Sequence, residues 1–203
     1  MTWLNWPNRI TIARIMLVVP LVICLLNLNS DWPHWRHAAF ALFFAMAVSD
    51  GLDGFLARRL GEETPLGEFL DPLADKLLIT CAVILLAVEP TAVPDFRLAH
   101  WVPVITIGKD VLTVIGFLLV YAVTGLFFIQ PRTWGKACTL VQLAMVGYVL
   151  IAPDLPRSLR WFLPHLSWAA CGMAIIALAD YVRIGNRFAA EHYRSQSRSK
   201  PDE

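Results

Sequence analysis

Four aspartates fall in two helical registers within 26 positions: Asp50 and Asp53, three apart, and Asp71 and Asp75, four apart. On a helix, either spacing puts both carboxylates on one face. Between the pairs, Gly61-Glu62-Glu63-Thr64-Pro65 has the composition of a turn, so the two faces can meet. Four ionised carboxylates in one apolar place repel one another and are expensive to desolvate. A divalent cation relieves both costs, and oxygen donors at this density suit Mg²⁺ or Mn²⁺. Two such ions, about 3.5–4 Å apart in two-metal sites, would share the four aspartates in an arrangement fit for phosphoryl chemistry. A single pair could be span-end aspartates facing water. Two registered pairs across a short turn, framed by glycines, are poorly explained that way.

The residues between the aspartates suit a phosphate-handling site. Gly54 and Gly67 remove side chains where a bulky phosphate or base must approach the backbone. Ala57 keeps the wall low, and the planar fork of Arg58 can grip a diphosphate. Each glycine alone is weak evidence, because small residues also serve helix packing in membranes. Their place inside the aspartate frame is what gives them meaning.

Such a frame needs long elements to hold it, and the composition supplies them. Of 203 residues, 57% are hydrophobic and only 16% charged, whereas soluble domains carry about 25% charge. Six apolar segments appear, at roughly 10–28, 37–57, 67–88, 101–124, 135–152 and 161–184. Each is near the ~20 residues that cross a bilayer as a helix, and lipid forces the helical choice because it cannot satisfy backbone polar groups. The expected fold is therefore all-α, a polytopic bundle of six transmembrane helices. Residues 1–185 form the membrane domain and 186–203 a polar, disordered tail. Arg9 and Arg14 before an apolar run resemble a signal peptide, but no small-residue cleavage site follows, so the run is read as the first span.

Arg9, Arg14, Arg58, Arg59, Arg132, Lys136 and the basic residues from Arg183 onward fall on one side of this layout, and only Arg36, Arg97, Arg157 and Arg160 on the other. The positive-inside rule then puts both termini, and the aspartates, on the cytoplasmic side. Tail cations could also pair with anionic headgroups, although a solvated tail that sets orientation is the plainer reading. Trp3, Trp6, Trp32, Trp35, Trp101, Trp134 and Trp161 lie near span ends, where interfacial anchoring accounts for them. Cys24, Cys81, Cys138 and Cys171 sit in apolar runs without metal-site spacing and read as small buried hydrophobes. A net charge of +1 gives no ground for a nucleic-acid partner.

The run Asp50-x₂-Asp53-Gly54-x₂-Ala57-Arg58-x₈-Gly67-x₃-Asp71-x₃-Asp75 matches the signature of the CDP-alcohol phosphatidyltransferases at all eight specified positions. The six-span layout resembles that family too, over about residues 5–184. The resemblance implies Asp50, Asp53 and Asp71 as metal ligands, with Asp75 as ligand or general base. It places Gly54, Ala57, Arg58 and Gly67 against the CDP moiety. It further implies attack by an alcohol on CDP-diacylglycerol with release of CMP, two divalent ions, a bacterial inner-membrane location, and a homodimer as the family's habit.

The acceptor is narrowed by the flanks. Pro7-Asn8-x-x-Thr11-x-x-Arg14, Asp71-Pro72-Leu73-Ala74-Asp75-Lys76 and Gly135-Lys136-x-x-Thr139-x-x-Gln142 resemble phosphatidylglycerophosphate synthases and related cardiolipin synthases. Arg14, Lys109, Arg132 and Lys136 are the candidates to grip an acceptor phosphate; Arg14, Arg132 and Lys136 could instead mark the headgroup boundary, and Asp110 could simply neutralise Lys109. Where phosphatidylglycerophosphate synthases commonly read Arg-Glu with a further Arg, this chain reads Lys109-Asp110-Val111, which is more like the eukaryotic-type cardiolipin synthases. Glycerol 3-phosphate is the first expectation and phosphatidylglycerol the second. An ion-coupled transporter would need inverted halves and broken helices, and a membrane prenyltransferase would leave Gly54, Ala57 and Arg58 unexplained.

Overall fold

The computed structural model describes residues 6–30, 32, 34–60, 65–124 and 133–199, with side chains described over 11–30, 32, 34–49, 72–122, 124, 134–187 and 190. Among the described residues the regular structure is entirely helical. The long helices are α1 (Trp6–Leu26), α2 (His34–Leu60), α3 (Pro65–Ala87), α4 (Trp101–Thr124), α5 (Thr133–Ile151) and, after the short α6 (Arg157–Arg160), α7 (Leu163–Ser199). They fall on the six apolar segments of the sequence.

Three stretches are long and apolar enough to cross a membrane among the described residues: Trp101–Ala122, Trp134–Asp154 and Arg157–Arg187. Thr11–Leu26 is a shorter apolar helix. The 27 residues of α2 and 23 of α3 have the length of a span, but the charged stretch from Asp50 to Lys76 dilutes their apolar character. Pro20 in α1 and Pro72 in α3 each remove a helix hydrogen-bond donor. Membrane helices tolerate that loss when neighbouring groups satisfy the freed carbonyls.

One end of the bundle is tied by polar contacts between connections. Asn29 Nδ2 donates to the carbonyls of Pro90 and Ala92, at 3.0 and 3.2 Å. Thr91 Oγ1 donates to Leu85 O at 2.6 Å and closes the end of α3. Arg36, in the first turn of α2, donates to Leu150 O at 2.8 Å and to both carboxylate oxygens of Asp154 at 2.7 Å. These contacts gather the ends of α1, α3 and α5 with the start of α2. The start of α3 and the last turns of α2 belong to the opposite ends of these helices.

Packing follows from that arrangement. Helix α1 lies against both α2 and α3, α5 joins α2 and α3, and α7 covers α4 and α5. Leu21, Leu25, Met46, Leu78, Leu86, Met145 and Leu150 are fully buried at these seams. Gly185 lets α7 approach α4 closely, since a Cβ there would meet Val120 Cγ2 at 3.2 Å. Trp32, Trp134 and Trp161 are exposed, and Trp101 stacks against Trp168 with ring centroids 4.6 Å apart.

Helix α7 runs on to Ser199, through most of the polar segment that begins at residue 186. The segment Arg187–Ser199 reads Arg-Phe-Ala-Ala-Glu-His-Tyr-Arg-Ser-Gln-Ser-Arg-Ser and holds no glycine or proline before Pro201, so nothing in it breaks the helix. At 1.5 Å per residue its 37 residues extend about 55 Å, well beyond a ~30 Å hydrocarbon layer.

Candidate active site

The signature residues occupy two helix ends joined by a short connection. Asp50, Asp53, Gly54, Ala57 and Arg58 are helical in the last three turns of α2. Gly67, Asp71 and Asp75 are helical in the first three turns of α3, and residues 61–64 between the helices lie outside the described residues. Both aspartate pairs thus keep the helical spacing that gives each a common face. The side chains of Asp50, Asp53, Gly54, Ala57, Arg58, Gly67 and Asp71, and the whole of Arg132, also lie outside the described set.

Asp75 anchors the described part of the site. Its Oδ1 lies 3.6 Å from Nη1 of Arg14, linking α3 to α1. The arginine side chain is 1% exposed and that of Asp75 26%. Thr11, one turn before Arg14, is equally buried, so one face of α1 brings its polar residues inside the bundle. A guanidinium at this depth needs a carboxylate partner, because an isolated buried charge costs several kcal/mol. Arg14 thus faces the interior of the bundle.

A second cluster lies where α3, α4 and α5 pack. Lys109 Nζ is 2.9 Å from Asp110 Oδ1, and Lys76 Nζ is 3.7 Å from the same oxygen. Beside it the buried Gln142 donates through Nε2 to Thr106 Oγ1 at 3.4 Å, and Thr113 Oγ1 donates to Lys109 O at 2.8 Å. Lys136 is exposed on α5. Sequence spacing does not single out Lys76 or the bridging role of Asp110. The available signal was their position as charges inside otherwise apolar spans.

Among the described residues no group of three or more His, Cys, Asp or Glu is clustered as for a metal, Asp75 being the one signature aspartate whose side chain is described. The donor chemistry nevertheless fits a hard divalent cation. The four signature side chains are all carboxylates, set at adjoining ends of two consecutive helices.

A model of the CDP-alcohol phosphatidyltransferase family matches residues 4–184. The chain is 35% identical over 191 residues to a CDP-diacylglycerol–glycerol-3-phosphate 3-phosphatidyltransferase of Bacillus subtilis, covering 87% of this chain and 93% of that protein. A protein of the same name from Pseudomonas fluorescens is 46% identical over 86 residues, 42% of this chain and 43% of that one. A cardiolipin synthase (CMP-forming) of Oryza sativa is 38% identical over 190 residues, 89% of this chain and 57% of the rice protein. The alignments thus span nearly all of the Bacillus relative, and under two thirds of the other two.

Proposed function

The chain belongs to the CDP-alcohol phosphatidyltransferase family, and on that premise we infer that it is a membrane transferase of phospholipid biosynthesis. It moves the phosphatidyl group of CDP-diacylglycerol to glycerol 3-phosphate, giving phosphatidylglycerophosphate and CMP. The observation that carries this reading is the match over residues 4–184, within which the eight-residue frame falls on adjoining ends of α2 and α3.

In this reading the chain spans the bilayer six times, with both termini and the aspartate end of the bundle in the cytoplasm of a bacterial cell. Residues 1–185 form the catalytic domain, and the end of α7 stands out of the membrane. Asp50, Asp53, Asp71 and Asp75 hold two divalent ions, Mg²⁺ or Mn²⁺. Once bound, these offset charge on the diphosphate and on departing CMP. Gly54, Ala57 and Gly67 leave room for the CDP group, and Arg58 forks onto its diphosphate. The acceptor hydroxyl oxygen bonds to the phosphorus that carries diacylglycerol. The diphosphate P–O bond breaks, its electron pair leaves with CMP, and the hydroxyl proton passes to Asp75. Arg14, buried against Asp75, fixes that carboxylate and adds positive charge on the acceptor side, which Lys109, Arg132 and Lys136 extend.

One observation favours a second acceptor. With Asp110 at 2.9 Å from Lys109, part of that lysine's charge is already met, which suits the single negative charge of phosphatidylglycerol better than a phosphate dianion. The purified protein should be given CDP-diacylglycerol with each acceptor separately and the lipid product identified. Phosphatidylglycerophosphate supports the first reading. Cardiolipin from phosphatidylglycerol, with glycerol 3-phosphate inert, replaces it with the second.

A further inference from the structure

The geometry points to Lys76 as a further cation for the acceptor's phosphate, with Asp110 as the positioning residue that holds it beside Lys109. This deepens the phosphatidyl-transfer reading and rests on it. Lys76 and Lys109 come from different helices, yet both ammonium groups lie within 4 Å of one oxygen, Asp110 Oδ1. Like charges meet in apolar surroundings only around a counter-ion. Without Asp110, each long side chain would turn toward the nearest headgroups.

Neighbours on a helix point about 100° apart at 3.6 residues per turn. The 2.9 Å approach of Lys109 to Asp110 therefore means that Lys109 folds sideways, toward the α3 side where Lys76 arrives. The carboxylate does not exhaust the lysines. Each ammonium carries three donors; Asp110 Oδ1 is within hydrogen-bond reach of Lys109 at 2.9 Å and only an ion-pair partner of Lys76 at 3.7 Å, so donors remain on both for phosphate oxygens. The Lys76 side chain is 44% exposed against 14% for Lys109, which leaves an open approach on that side. Lys76 also directly follows Asp75. An acceptor phosphate on the lysine pair would thus lie beside the turn of α3 that carries the proton acceptor. The substrate class this selects is an alcohol bearing its own phosphate.

The test uses the full-length enzyme in detergent–lipid micelles with added Mg²⁺, and the variants Lys76→Met, Asp110→Asn and Asp110→Glu. Loss of one charge-assisted contact predicts a KM for glycerol 3-phosphate raised about tenfold in Lys76→Met, with the KM for CDP-diacylglycerol moved less than about twofold. Asp110→Asn keeps both lysines but loses the clamp, and should raise the acceptor KM about fivefold, with Asp110→Glu restoring most of it. An acceptor KM unchanged in Lys76→Met, or a CDP-diacylglycerol KM raised equally, overturns the assignment. If Lys76→Met fails to fold, an unchanged acceptor KM in Asp110→Asn overturns it as well. A wild-type enzyme that uses phosphatidylglycerol instead refutes only the choice of acceptor. The same rise is then expected, and the same absence of a rise is fatal, with phosphatidylglycerol as the varied substrate.

Discussion

Replacing Arg14 with Met keeps the bulk and apolar stem of the side chain and removes the charge beside Asp75. The guanidinium is 1% exposed and 3.6 Å from a carboxylate that is 26% exposed. At an effective dielectric of about 20, unit charges about 4 Å apart attract by ~4 kcal/mol. Removing one partner of a buried pair costs about 3–5 kcal/mol, because the other charge is left behind. The partial exposure of Asp75 puts the expected cost at the lower end, about 3 kcal/mol. For a chain of this size that corresponds to a fall of roughly 6–12 °C in the unfolding midpoint. The buried thiols of Cys24, Cys138 and Cys171 provide the assay, since a thiol-reactive fluorophore reports their exposure on heating. Asp75→Asn combined with Arg14→Met removes both charges, so the double variant should be more stable than the sum of the single losses by about 2 kcal/mol. Losses that add to within about 0.5 kcal/mol would refute a coupled pair.

Three further outcomes follow from the same geometry. Asp75→Asn should lower turnover by on the order of 10²-fold or more while the KM for CDP-diacylglycerol changes much less, as expected if the residue takes the proton; near-normal turnover removes that role. Arg58→Ala should instead raise the KM for CDP-diacylglycerol, and an unchanged KM would separate Arg58 from the diphosphate. Asp154, just after α5, accepts two 2.7 Å hydrogen bonds from Arg36. Asp154→Asn should therefore lower stability at neutral pH, by no more than about 1 kcal/mol at this exposure, and an unchanged unfolding midpoint would contradict the pairing.

The helices were legible because lipid imposes one solution on a long apolar run, and Pro and Gly clusters punctuate the runs. Their rotation was much less so. A helix that is apolar all round carries little periodic signal, so nothing in the spacing told which face of α1 turns inward. The ion pair of Arg14 with Asp75 is accordingly visible only in the structure. The Lys76–Asp110–Lys109 cluster was hidden for a related reason: Lys76 and Asp110 are 34 residues apart in the chain and meet only when α3 packs on α4. Charges at corresponding depths in neighbouring spans were the usable clue. The polar composition after residue 186 carries no apolar run to mark a helix, and α7 nevertheless extends to Ser199.

If the aspartate frame is a divalent-cation site for phosphatidyl transfer, CMP release from CDP-diacylglycerol by the purified chain must follow the metal, and it can be measured with and without glycerol 3-phosphate, after chelation, and after return of Mg²⁺ or Mn²⁺. Release should depend on acceptor, stop on chelation, return with either metal, and be lost in Asp50→Ala and Asp71→Ala variants at every metal concentration. Acceptor-dependent CMP release at the wild-type rate from the chelated enzyme, or from a chain lacking both Asp50 and Asp71, would contradict it.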